Sequence, residues 1–224
     1  MDYKLRVTQL KQKVEEACLR AGRKPGEVTI IAAAKYAPAE IVQKVVDCGI
    51  THLGENRAQD LMEKKNKVKN NLTWHFIGHL QSRKAKTVVP AVEYIHSIDK
   101  LSTLQKVNKV ADKINKKQKV LIEVNVSGEE SKYGMDCKQL EDFLIQSTTL
   151  EHVDIRGFMT MAPLTKDWEM IRAIFKKLRD VRDDLNERFK QYSLTELSMG
   201  MSNDYSIAVE EGATMIRVGS VLFK

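Results

Sequence analysis

The chain has 224 residues, of which 42% are apolar and 30% are charged, and its formal net charge is +7. This composition allows a sizeable core, while the apolar runs are far too short for a membrane span, which needs about 20 residues. The opening segment MDYKLRVTQLKQKVEE contains no apolar signal region, and so we expect a cytoplasmic protein without a secretory signal.

The positive charge raises the question of nucleic acid binding. Lysines cluster at 64–69 and at 113–119, at the ends of helix-like segments, where cations complement the helix dipole. No basic patch is interleaved with aromatic residues, and so we interpret the lysines as solvated helix ends and expect neither nucleic acid nor membrane as a partner. Cys18, Cys48 and Cys137 match no zinc or disulfide framework, which favours a reducing compartment.

In chain order, the first element is a helix over 5–22, indicated by apolar residues at helical spacing and stopped by Gly22. Strand-like runs and helical patterns then alternate, with the helical patterns clearest at 100–117 and 166–187. The strand-like runs are VTIIAAAK (28–35), THLGE (51–55), WHFIG (74–78), YIHSI (94–98), VLIEVNV (120–126), VDIRGFM (153–159), ELSM (196–199) and TMIRVG (214–219).

Eight strands alternating with helices are compatible with a (β/α)8 barrel or with a doubly wound sheet. The strand count favours the barrel, and little sequence follows the eighth strand, so we expect the N-terminal helix to fill the place of a full last helix. The prediction is therefore one α/β domain over residues 1–224, a TIM-type barrel with an extra N-terminal helix.

The alternation of residues within two strands predicts which side chains face the barrel interior. Glu123 and Asn125 share one face of the fifth strand, and Ala33 and Lys35 share one face of the first. Burying an ammonium group without a partner is costly, and so we expect Lys35 to be a dry, uncharged amine at the C-terminal mouth of the barrel. Tyr36 is expected to point the other way.

The ends of strands seven and eight, where barrels often hold phosphate, read SMGMSND and RVGS. We expect Ser202 to be the N-cap of a helix that runs to about Glu211 and is stopped by Gly212. Glycine, serine hydroxyls and Arg217 would offer donors to an anion. A phosphate cradle facing a lysine indicates a phosphorylated aldehyde held as a Schiff base; pyridoxal 5′-phosphate (PLP) fits, and an aldolase-type sugar phosphate fits nearly as well.

Six segments together resemble the pyridoxal-phosphate homeostasis protein family (YggS/PROSC type), in order from about residue 28 to 223. They are AAAKYAP, HLGENRAQD, WHFIGHLQSRK, VNVSGEESKYG, GFMTMAP and LSMGMSNDYSIAVEEGATMIRVGS. The resemblance implies a single barrel similar to the N-terminal domain of alanine racemase, with PLP bound as a Schiff base. It also implies a PLP carrier or buffer in intracellular PLP homeostasis, without established turnover, which could deliver PLP to apo-enzymes.

By this resemblance, Lys35 is the Schiff-base lysine, Asn56 lines the ring side, and Lys132 is a possible secondary PLP contact. The residues implied to hold the phosphate are Ser198, Gly200, Ser202, Arg217, Gly219 and Ser220. Two positions depart from the family's usual pattern: Arg83 in LQSRK, and Lys224, where the family commonly continues with glycine and a short tail.

A PLP-dependent amino-acid racemase of low activity is the alternative function. Racemisation needs acid–base groups on both faces of the substrate carbon, and alanine racemases supply one from a second domain that this chain is too short to contain. We therefore expect a non-enzyme and a monomer. His75 and His79 flank the third strand at a spacing unsuited to paired metal ligation, so we interpret them as hydrogen-bonded wall residues and expect no metal.

Overall fold

The computed structural model describes residues 1–129 and 133–224. Within these residues, eight parallel strands form a closed barrel in which each strand pairs with its neighbours in chain order and β8 pairs with β1. The strands are β1 Thr29–Ala33, β2 His52–Glu55, β3 Thr73–Phe76, β4 Tyr94–Ile98, β5 Gln118–Glu123, β6 Val153–Met159, β7 Glu196–Ser198 and β8 Met215–Val218. The predicted (β/α)8 architecture is confirmed, and all eight predicted strands are present.

Helices lie between the strands and cover the outside of the barrel. They are α1 Tyr3–Arg20, α2 Ala39–Asp47, α3 Ala58–Lys67, α4 Ala85–Val88, α5 Leu101–Lys113, α6 Leu140–Ser147, α7 Trp168–Arg188, α8 Tyr205–Glu210 and α9 Ser220–Phe223. Helix α1 packs against α8, α9 and α2, and so it takes the place in the outer ring that the four-residue α9 cannot fill. No helix in the described part of the chain is long and apolar enough to cross a bilayer.

The side chains of β5 separate into two sets, as its alternation predicts. Val120 and Ile122 belong to the large apolar layer between strands and helices, whereas Leu121 packs inside the barrel with Ile31 and Met159. Glu123, on the inner face of β5, is buried. Apolar and polar side chains therefore share the barrel interior, and the polar side chains are described with the site below.

Two helix boundaries differ from the sequence patterns. Helix α5 ends at Lys113, several residues before the predicted end at 117, because Asn115 adopts a positive φ of 48° that terminates the helix. Helix α8 begins at Tyr205 with Asp204 as its N-cap, and so the prediction that Ser202 caps this helix is wrong. Gly212 follows α8 with a φ of 98°, which confirms it as the stop.

Candidate functional site

A cavity of about 720 Å³ lies at the C-terminal end of the barrel, where β1, the β7–α8 loop and the β8–α9 junction meet. Ligand pockets for small molecules usually measure about 300–1,000 Å³. Five of the predicted site residues line this cavity, together with Ala33: Lys35, Ser202, Arg217, Gly219 and Ser220. The structure therefore brings a primary amine and several anion donors into one cavity.

Lys35 lies at the rim of this cavity and is exposed, so the expectation of a dry amine inside the barrel is wrong. The physical reason is that β1 ends at Ala33, and residues 34–37 form a turn in which Ala37 N–H donates to the Ala34 carbonyl at 3.0 Å. Strand alternation no longer applies in that turn. Tyr36 consequently lines the same cavity, with Lys35 Nζ 4.8 Å from its ring centroid, contrary to the expectation that it points away.

A buried ion pair fixes the strand end that carries Lys35. Lys64 Nζ donates to Glu55 Oε1 at 2.5 Å and to the Ala34 carbonyl at 2.6 Å. Burial raises the pKa of Glu55, and the hydrogen bond and charge of Lys64 oppose that rise. Lys64 is therefore not a solvated helix-end lysine, as the sequence interpretation had it; a glutamate closing an apolar strand was the signal for its partner.

Donors converge at the start of α9. Ser202 Oγ accepts hydrogen bonds from Gly219 N–H at 3.1 Å and from Val221 N–H at 3.4 Å, and Ser220 beside them is exposed. A Cβ on Gly219 would stand 3.1 Å from the Ala33 carbonyl oxygen, closer than side chains normally approach. Glycine at this position thus lets the donors lie directly against the end of β1.

Arg217 lies beneath these donors, buried at the floor of the cavity. Its guanidinium donates to Ser198 Oγ at 2.6 Å and to the Thr160 carbonyl at 2.8 Å. Burial lowers the pKa of Arg217 to about 10, and the nearby carboxylates of Glu123 and Asp204 act in the opposite direction. The guanidinium therefore remains a cation at neutral pH.

Two residues predicted to hold phosphate lie elsewhere. Ser198 is fully buried inside the barrel and is outside the lining of the cavity, because its inward position on β7 directs it to Arg217. Gly200 also lies outside the lining; it has a φ of 91°, and a Cβ there would stand 2.5 Å from Ala208 Cβ. Gly200 accordingly shapes the loop that carries Ser202.

Three further predicted positions complete the comparison. Asn56 follows β2 and is half-buried outside the cavity lining; its Oδ1 is buried and has no hydrogen-bond partner among the described residues. Arg83 is exposed and its Nε donates to Gln81 Oε1 at 3.1 Å. Lys132 lies outside the described residues.

Two histidines that sequence reasoning missed, His52 and His96, lie inside the barrel with His75 in one hydrogen-bonded row. Together with His75, these two histidines place an inward polar residue on each of three successive short apolar strands. This pattern was the signal available in the sequence. His79 lies outside this row; its Nδ1 is 3.7 Å from Asp99 Oδ2, and its ring stacks on Tyr133. Among the residues that the structure describes, no cluster of three or more potential ligands could hold a metal ion.

The fold and this cavity define a barrel of the alanine racemase N-terminal-domain class. The family model described as alanine racemase, N-terminal domain, matches residues 8–224. An alanine racemase of Clostridium difficile 630 has a TM-score of 0.74 at 15% identity; the match covers 99% of this chain but 56% of that one. That similarity shows the fold alone.

More similar proteins are of the same size as this chain. The pyridoxal phosphate homeostasis protein of Aquifex aeolicus is 39% identical over 219 residues, covering 97% of this chain and 96% of the relative. PipY of Synechococcus elongatus PCC7942, whose structure is known with and without PLP bound, is 34% identical with TM-scores of 0.89 and 0.90, each match covering 100% of both chains. The chain belongs to the pyridoxal phosphate homeostasis protein family.

Proposed function

We propose that this chain binds PLP in the cavity at the C-terminal end of the barrel and serves PLP homeostasis as a carrier or buffer. The observation that carries the proposal is the joint presence of the Lys35 amine and the donors at Ser202, Gly219 and Ser220 in one cavity of about 720 Å³. An aldehyde with a phosphate tail requires these two kinds of group. The family's name and PipY with PLP bound support the same ligand.

The residues present fit PLP. Backbone N–H groups and the serine hydroxyls would hold the phosphate, with Arg217 supplying positive charge from the floor of the cavity. Asn56, whose buried Oδ1 has no hydrogen-bond partner among the described residues, lies outside the cavity lining and is assigned no contact with PLP. Lys35 would form the Schiff base, in which the deprotonated amine condenses with the aldehyde and one water is released. Bound PLP would supply its aldehyde carbon in the form of this Schiff base, which is thereby kept from stray amines.

The exposure of Lys35 suits a carrier that must load and release its cargo, since the reacting amine is accessible from solvent. We further propose that residues 1–224 act as one PLP-binding domain and as a monomer in the cytoplasm, that apo-enzymes are the recipients of PLP, and that catalytic turnover is not its role.

The test of this proposal is borohydride trapping followed by peptide mapping. Wild-type protein saturated with PLP should become yellow, and reduction should fix one label on Lys35. Lys35→Ala should lose that label while retaining weaker, non-covalent binding, and Lys44→Ala, on α2, is the matched control that should leave the label unchanged. A wild-type protein that takes up no PLP would refute the proposal.

Incubation of the PLP-loaded protein with L-amino acids in deuterated water separates the carrier from the racemase alternative. A carrier should exchange α-protons no faster than free PLP does, whereas rapid exchange with formation of the D-isomer would establish an enzyme.

A further inference from the structure

Five side chains form a continuous hydrogen-bonded row across the barrel interior, from the N-terminal end of β2 to the floor of the cavity. His52 Nδ1 is 3.0 Å from His75 Nε2, and His75 Nδ1 is 2.9 Å from His96 Nε2. His96 Nδ1 is 2.9 Å from Ser198 Oγ, which in turn lies 2.6 Å from the Arg217 guanidinium. We call His52, His75 and His96 the histidine chain.

The direction of the hydrogen bonds in the row follows from Arg217, which donates and never accepts, together with the need of the buried Ser198 hydroxyl hydrogen for an acceptor. Ser198 Oγ accepts from Arg217, and in the described part of the chain His96 Nδ1 is the one other hydrogen-bond partner of this fully buried hydroxyl, so its hydrogen donates to His96 Nδ1. A neutral imidazole that accepts at Nδ1 carries its hydrogen on Nε2, and so His96 donates to His75. By the same rule His75 donates to His52.

This order requires all three rings to be neutral, and their surroundings favour that state. His75 and His96 are fully buried. Burial lowers the pKa of His75 to about 3, lowers the pKa of His96 well below its ordinary value, and lowers that of the half-buried His52 in the same direction. Tyr94 stacks on His75 with the ring planes 10° apart, which fixes the orientation of the central ring.

We propose that the histidine chain is a positioning device that holds Ser198 and, through it, the Arg217 guanidinium beneath the PLP cavity. Arg217 has two anchors in the described residues, Ser198 Oγ and the Thr160 carbonyl. Without the acceptor on His96, the Ser198 hydroxyl is free to rotate, and the guanidinium is held firmly from one side only. The consequence for the cofactor rests on the proposed function, whereas the order of the hydrogens does not.

The first experiment reads the histidine chain without any cofactor. Long-range ¹H–¹⁵N correlation at pH 7.5 should show His52, His75 and His96 as neutral rings with the hydrogen on Nε2, with His79→Gln and His152→Gln used for assignment. A hydrogen on Nδ1 of His75 or His96, or a charged ring at either position, would overturn the proposed order.

The second experiment compares two replacements of His96 in PLP-loaded protein. His96→Leu removes both ring nitrogens and should weaken PLP binding roughly tenfold and shift the absorption band of bound PLP, the loss expected for a misplaced charge-assisted bond. His96→Asn keeps an amide oxygen near the Nδ1 position and should restore both affinity and spectrum. His152→Leu, outside the histidine chain, is the control and should behave as wild type.

Ser198→Ala removes the connecting hydroxyl with little change in volume, and should reproduce the effect of His96→Leu if that variant does not fold. Affinity and spectrum that stay at wild-type values in folded Ser198→Ala or His96→Leu protein would refute the positioning role while leaving the proposed function intact. A wild type that binds no PLP would instead refute the proposed function, and the tautomer measurement would still decide the order.

Discussion

Buried charged side chains in this barrel donate hydrogen bonds to backbone carbonyls near the site. Lys64 is the clearest example, because its ammonium group joins the Glu55 carboxylate to the carbonyl of the residue preceding Lys35. Both side chains are almost fully buried. Removing one partner of such a pair leaves the other charge uncompensated.

We therefore expect Lys64→Met to lower the free energy of unfolding by about 3 kcal/mol, as is typical when one partner of a buried ion pair is removed. Lys67→Met on the same helix is the matched control: both partners of its ion pair with Glu63 are exposed, and so its loss should change the free energy of unfolding far less than Lys64→Met does. Urea denaturation measures both, and equal losses in the two variants would contradict this account.

For individual residues of the candidate site, the sequence predicted the groups that line the cavity as anion donors, but it did not predict which residues lie beside them. Ser202, Gly219 and Ser220 were found because glycine and serine at strand ends indicate anion donors. The sequence could not place Ser198, since a one-position difference along a strand exchanges the cavity for the barrel interior. The exposure of Lys35 also escaped prediction, because a turn begins where apolar residues continue.

Among the single elements of the barrel, β6 shows most clearly how the pairing of a strand depends on local backbone geometry. Its pairing with β5 shifts register between Val120 and Leu121, and Gly157 nearby has a φ of 146°. A Cβ at Gly157 would stand 2.0 Å from the Glu196 carbonyl oxygen on β7. The sequence run VDIRGFM predicted the strand correctly, and its internal glycine marks the irregularity.

Gly157→Ala should destabilise the protein by more than about 3 kcal/mol, because both the φ angle and the carbonyl contact oppose a side chain. Gly22→Ala provides the control: Gly22 has a φ of 68° but no atom within 4 Å of the added Cβ, and so the cost should be about 1 kcal/mol. Thermal unfolding of both variants measures the difference, and a smaller loss for Gly157→Ala would show that β6 and β7 can separate locally.

Elements were predictable wherever alternation or helical spacing persists over several residues, as in β5 and α7. Their ends were not, because single residues decide them. Asn115 ends α5 by adopting a positive φ, and Asp204 replaces Ser202 as the cap of α8 because the Ser202 hydroxyl is engaged by backbone donors of α9. Such contacts between distant segments are invisible to a local pattern.

The molecule as a whole should respond to pH through its buried carboxyl groups. Burial raises the pKa of Glu123 from 4.5 to about 7, with a smaller opposing effect of Arg217. A carboxyl whose pKa is raised on folding favours the folded state fully below pH 4.5, and this contribution is lost as pH rises through about 7. The difference between these pKa values corresponds to about 3 kcal/mol.

Glu123→Gln should therefore gain up to about 3 kcal/mol of stability relative to wild type between pH 4.5 and pH 8, as the wild-type carboxyl becomes charged inside the barrel. Glu187→Gln, at an exposed position, gives the baseline for removing a carboxyl group. Denaturation curves across this range measure the difference between the variants, and a difference that does not change with pH would refute a perturbed Glu123.

Because the three rings of the histidine chain carry their hydrogens in the same order, their small dipoles point in the same direction and add. In the proposed order every ring turns its bare nitrogen toward Arg217 and its N–H away from it, and His52 also lines a second cavity at the base of the barrel, beside Lys65, Lys116 and Lys119. Uncharged rings thus supply a partial negative potential below the buried guanidinium. The matching positive end makes the base of the barrel, on the side away from the amine, the more attractive to anions.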